Sequence, residues 1–195
     1  MSTYNAIRYN NPYANAGGLV LLSTQTASAS ASISFTSGID STYKEYLFIF
    51  NNLHPATDAT QFQFNLSTDS GSSYNVTKTT TVFNAYHNEA DTATNLGYRT
   101  DNDLAQSTSY QNIAHDVGAD ADQAVSGYLH LFAPSSNTFV KHFISTTSPA
   151  RNNDYAYEHF TAGYANTVSP INSVDFKFSS GNIDDGTIQM FGVVS

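Results

Sequence analysis

The chain has 195 residues, with 7 lysines and arginines against 16 aspartates and glutamates, a net charge of −9, and neither cysteine nor tryptophan. Charged residues supply 12% of it where globular domains carry about 25%, and Ser, Thr and Asn fill about a third; the few basic residues stand singly, so nucleic acid is excluded as a partner. Absence of cysteine excludes a disulfide framework and thiol catalysis, no apolar run nears the roughly 20 residues of a spanning helix, and the start lacks the pattern of a cleaved signal.

Residues 1–18, with Tyr4, Arg8, Tyr9, Tyr13, Pro12 and the pair Gly17-Gly18, read as an extended arm ahead of a single domain over 19–195. Tyrosines on such an arm provide contact area for a neighbour, so Tyr4, Arg8, Tyr9 and Tyr13 are its candidate contacts. Beyond it the apolar period is two almost throughout. Leu19 to Ser23 is the first strand candidate, and Ala27 to Phe35 alternates apolar with serine at every step, as a strand with one wet face should. Glu45 to Asn51, Gln61 to Ser67 and Tyr74 to Tyr86 follow, rich in Phe, Tyr, Val and Thr and separated by Gly, Asn and Asp clusters.

Residues 88–124 are acidic, polar and long for a loop in a compact domain. Ala90 to Ala105 has room for a turn or two of helix, and Ile113 to Val117 alternates as a strand does. Gly127 to Ala133, Thr138 to Thr146, Tyr157 to Tyr164, Ser173 to Phe178 and Thr187 to Val194 complete the series. The turn residues Ser180 to Gly186 join the last two into an expected C-terminal hairpin. Many short strands with this punctuation predict an all-β fold, an antiparallel β-sandwich of jelly-roll type.

The search for chemistry is mostly negative. There is no Gly-x-Ser-x-Gly elbow, phosphate loop or His-Glu-x-x-His, and only three glutamates, so no enzyme activity and no cofactor is expected. His130, His142 and His159 lie on strand candidates and would meet on one face if the strands were neighbours; solvent-facing or hydrogen-bonded strand histidines are the favoured reading, and no metal is assigned. Carboxylates gather at Asp101, Asp103, Asp116, Asp120, Asp122 and Asp184-Asp185, where a solvated loop is favoured over a calcium site. Tyr98 and Tyr110, on the polar segment, are candidate glycan contacts.

Four segments carry a family likeness: Gly38 to Tyr46, Asn51 to Asp58, Gly127 to Ser136 and Ser179 to Ile188. Over about residues 18–194 the chain resembles a group of tailed-phage virion structural proteins from phages of aquatic bacteria, whose members are labelled tail-fibre, baseplate-associated or uncharacterised. The resemblance implies a non-enzymatic structural protein of the bacteriophage virion, either a capsid decoration or a tail-fibre appendage, and implies no catalytic residues. It also implies other virion proteins as partners and a homotrimer held by the arm and by neighbouring subunits. The alternative is a tail-fibre module that recognises glycan on the host surface.

Overall fold

Alternating β-formers and frequent turn residues give an all-strand chain in the computed structural model, which describes residues 18–194. Twelve strands follow in order: β1 (Leu19–Thr26), β2 (Ile33–Phe35), β3 (Glu45–Pro55), β4 (Thr60–Ser67), β5 (Lys78–Asn88), β6 (Thr94–Tyr98), β7 (Gln111–Val117), β8 (Val125–Phe132), β9 (Lys141–Pro149), β10 (Tyr155–Ala165), β11 (Ser173–Phe178) and β12 (Ile183–Val193). They form an eight-stranded sheet in the order β1-β12-β3-β8-β9-β10-β5-β6 and a four-stranded sheet in the order β2-β11-β4-β7, antiparallel throughout. No helix among the described residues is long and apolar enough to cross a membrane.

The strand order identifies the architecture. With β5, β6, β9 and β10 set aside, eight strands remain, arranged first-eighth-third-sixth over second-seventh-fourth-fifth. The chain changes sheet at every connection but one, which is the jelly roll. The other four strands enter as two hairpins, β5–β6 between β4 and β7 and β9–β10 between β8 and β11. They pair with each other through β5 and β10, from Lys78 opposite Ala165 to Asn88 opposite Tyr155, and extend the larger sheet beyond β8.

Phenylalanine fills the jelly-roll half. Phe176 of β11 is the hub, with ring centroids 5.2 Å from Phe50, 5.4 Å from Phe48, 6.0 Å from Phe62 and 6.3 Å from Phe35. These rings are buried, and their edge-on, tilted and, for Phe62, stacked contacts add to what their burial contributes. One glycine is required by geometry. Gly127 adopts φ +153° beside the irregularity where β3 shifts register between Phe50 and Leu53, and a Cβ there would fall 2.3 Å from the Thr146 carbonyl oxygen.

Three expectations need correction. Residues 173–178 and 187–194 do not make a hairpin, because β11 belongs to the small sheet and β12 to the large one; the Gly/Asn/Asp turn crosses between layers instead. The Ala/Ser alternation from Ala27 is strand only at Ile33–Phe35. Before that the chain moves from β1 to the other sheet, held by Ala27 N–H on the Gly186 carbonyl and by a bridge between Ser30 and Ile183, with Ala29 at φ 49°. Ala90 to Ala105 contains no helical turn: it carries β6, then the turn at Arg99–Asn102.

Candidate functional site

The four added strands reverse the usual polarity of a sandwich. Pairing register places Tyr157, His159 and Thr161 of β10 with Thr80, Val82 and Asn84 of β5 and Ser145 and Thr147 of β9 on the inward side. Apart from Val82 and Phe143, most of what they bury is polar. The outward side of the same strands carries Phe160, Ala162 and Tyr164 of β10, Phe83 and Ala85 of β5, Ile144 of β9, and Leu96 and Tyr98 of β6. In a strand successive side chains alternate faces, so a half-buried strand normally shows the opposite arrangement.

The outward face carries large aromatic and aliphatic side chains set among polar ones such as Thr81, His142, Thr146 and Glu158. Phe83 and Phe160, opposite each other in the ladder, stack at 4.6 Å, and Tyr98 extends the row from β6. An open groove of about 540 Å³ runs beside them, lined by Phe132, His142, Ile144, Ala162, Tyr164 and Thr79 among others. Across β3, β12 and β1 the face continues through Leu47, Phe191 and Leu21, which register places in one row. Leu96 is 71% exposed, Tyr98 54%, Leu21 52%, Ile144 47% and Phe83 41%, a large exposure of apolar side chains on one sheet face. Its strands carry two carboxylates, Glu158 and Glu45, whose Oε2 lies 2.9 Å from His130 Nε2, and Asp103 and Asp91 stand at its β6 edge beside Tyr98 and His87.

Beneath that face lies a polar seam, roofed by β7 and residues 99–112. Thr80 donates to Gln111 Oε1 at 2.7 Å, Gln111 Nε2 donates to the Asn102 carbonyl at 2.8 Å, and Asn112 Nδ2 donates to Asn102 Oδ1 at 3.0 Å. Thr147 donates to the Ile113 carbonyl. At one end Arg99 grips Asp101 through both nitrogens of its fork and lies 3.0 Å from His115 Nε2, while Arg151 pairs with Asp116 and sits over the Tyr157 ring at 5.1 Å. At the centre His159 is fully buried opposite Asn84, and neither imidazole nitrogen nor either amide atom has a hydrogen-bond partner.

Titration behaviour follows from this enclosure. Burial, aided by the nearby His115, pulls His159 down to about 4, so it is neutral at pH 7. Burial also lowers His115, against the opposing pull of Asp116. Arg99 holds Asp101 below the usual carboxylate range. Two lysines are interior: Lys78, pulled to about 7 by burial, donates to Asn65 Oδ1 and the Val76 carbonyl, and Lys141 donates to the Thr167 carbonyl. Arg99, Asp101 and the two lysines are held by these structural bonds, and among the described residues no serine or threonine hydroxyl is presented to a buried histidine as a nucleophile to a base.

The sequence-predicted residues separate. Tyr4, Arg8, Tyr9 and Tyr13 of the arm lie outside the described residues. Tyr98 projects from the outward face and donates to Asp103 at 2.6 Å. Tyr110 lies across the sandwich on the small sheet, donating to Asp175 at 2.9 Å with Lys177 Nζ 4.2 Å over its ring, so the two tyrosines do not form one surface. His130 and His142 share the outward face as diagonal neighbours, but His159 points inward, so the three do not gather. Loop carboxylates Glu89, Asp120, Asp122 and Asp154 line an open cleft of about 580 Å³, yet among the described residues no group of three His, Asp or Glu could hold a metal ion.

The aromatic face itself was missed. Its signal was available in Tyr46-Leu47-Phe48-Ile49-Phe50 and Tyr128-Leu129-His130-Leu131-Phe132, where large apolar residues occupy both parities. Such runs mark strands covered on two sides. No protein-family model matches the chain, and no curated protein matches it.

Proposed function

We propose that the chain is a non-enzymatic structural protein on the surface of a tailed-phage particle, a capsid decoration or a tail or fibre appendage, assembled as a homotrimer and anchored through its N-terminal arm and neighbouring virion proteins. The observation that carries this reading is the reversed polarity of the added strands. Phe83, Phe160, Ile144 and Leu96 face outward while His159, Asn84 and Thr147 face inward, an arrangement that suits a subunit working inside an assembly. The jelly roll is a common capsid and lectin architecture, which agrees with that role without specifying it. The likeness of Gly38 to Tyr46 and Gly127 to Ser136 to phage virion proteins supplies the source of the assembly.

The test is the place and copy number of this chain in a reconstruction of the purified particle. Hundreds of copies indicate the head, a handful to some tens indicate the tail, and absence from the particle overturns the proposal. A second reading, host-glycan recognition, is favoured by one feature: the exposed Tyr98 ring beside Asp103 offers the stacking face and acceptor that sugars use. It predicts saturable binding of the isolated protein to host polysaccharide, lost in Tyr98→Ala; no binding by folded protein eliminates it.

A further inference from the structure

We infer that the outward face of the eight-stranded sheet is where copies of this chain meet, the partner being a second copy of this chain. The inference rests on the proposed role as an assembly component and names the partner of that surface.

Size is the first argument. Eight strands at about 4.8 Å spacing make a sheet about 34 Å wide, and eight to nine residues at about 3.3 Å give it about 27 Å of height. The resulting area of roughly 900 Å² is close to the ~800 Å² that each partner contributes to a stable standard interface. Shape is the second. Twisted sheets pack on sheets of the same twist at about 10 Å, the arrangement already used between the two layers of this sandwich. A copy of the face brings that twist with it.

Charge is the third argument and separates a second copy from a basic partner. Each chain carries −9, so two copies repel over most of their surfaces. Register puts no lysine or arginine on the outward rows of β3, β8, β9, β10, β5 and β6; the carboxylates are Glu45, beside His130, and Glu158 on the strands, with Asp103 and Asp91 at the β6 edge, where they bind Tyr98 and His87. It is therefore a face on which two such acidic chains approach with little like-charge contact, and it offers a strongly basic surface few anions to bind. Depletion of charge with enrichment of aromatics is the composition of an interface centre. The groove between Phe132, Ile144 and Tyr164 gives that centre a recess for an aromatic side chain of the opposing copy.

The experiment uses the full chain. Light scattering after size exclusion, over the micromolar range, is expected to give a mass two or more times 21.1 kDa for the wild type. Ile144→Asp should raise the dissociation constant about thirtyfold or more, as loss of a central contact does. Gln63→Glu, which adds a charge on the small sheet opposite Lys177, should leave the mass unchanged. Because the chain has no cysteine, Ile144→Cys provides a second measurement that needs no disruptive change. Its thiol should react slowly with a thiol reagent in concentrated wild-type-like assemblies and faster on dilution, whereas Gln63→Cys should show no such dependence.

A monomeric wild type at all concentrations, or an Ile144→Cys thiol whose reactivity ignores concentration, overturns the inference. An oligomer that survives a folded Ile144→Asp does the same. Neither result touches the particle assignment, which stands or falls on whether the chain is found in purified particles.

Discussion

Replacing His159 by leucine should flatten the stability of the protein between pH 4 and 6.5. In the folded chain burial holds this imidazole at about 4, against an ordinary value of 6.5 when the chain is unfolded. The unfolded state therefore binds the additional proton throughout that window. Stability is fully present above pH 6.5, falls as the pH drops toward 4, and levels below it. About 2.5 pH units at 1.36 kcal/mol each amount to roughly 3 kcal/mol of stability lost on acidification. With a urea m-value of about 2–3 kcal/mol/M, the midpoint moves by about 1–1.5 M. The assay is urea unfolding followed by far-UV circular dichroism from pH 4 to 7.5. His159→Leu removes the titrating group and two unpartnered buried nitrogens together, so its neutral-pH stability should be close to the wild type and its midpoint nearly independent of pH in this window. His115, also lowered by burial, contributes a slope of the same sign that persists in the variant. If His159→Leu keeps the full wild-type slope, the buried imidazole is not its source and the reasoning fails.

Phe176→Ala should cost about 3–5 kcal/mol in chemical denaturation, because it removes the ring on which Phe35, Phe48, Phe50 and Phe62 converge; a loss under about 1 kcal/mol contradicts its role as the hub. Gly127→Ala should lower the thermal midpoint, since the new methyl meets the Thr146 carbonyl, and unchanged melting would mean that β9 yields there at no cost. Tyr110→Ala should destabilise by about 1–3 kcal/mol through loss of its bond to the buried Asp175, whereas Tyr98→Ala should change monomer stability by less than about 0.5 kcal/mol; equal effects would place them in equivalent environments. Lys78, at about 7 when folded against 10.5 unfolded, makes stability rise with pH from 7 to 10.5, and Lys78→Met should abolish that rise in the same urea assay.

Much of the fold was legible because a half-buried strand writes its own period. Gln61 to Ser67, Ser173 to Phe178 and Ile113 to Val117 appear as strands within a residue or two of their expected bounds, since Phe62, Phe64, Phe176 and Ile113 alternate with polar residues. Failures came where partners lie far apart in the chain. The turn at Ser180 to Gly186 has hairpin chemistry, yet β11 finds β2 and β4 while β12 finds β1 and β3, a choice made by which strands supply complementary apolar faces. Ala27 to Ser32 has strand alternation, but the crossing between sheets needed those residues for a corner.

The sequence by itself determined an all-β chain, a poorly charged composition and a large supply of Phe and Tyr. Those properties are local and compositional, and period two reports them directly. Which aromatics went inside was decided only by tertiary structure. Phe160 and His159 are adjacent in the chain, and alternation demands only that they face opposite ways. Pairing of β10 with β5 and β9, beneath a roof formed by β7, turned His159 into the interior and Phe160 out. That orientation, a product of contacts between residues tens of positions apart, created both the polar seam and the uncovered aromatic face above it.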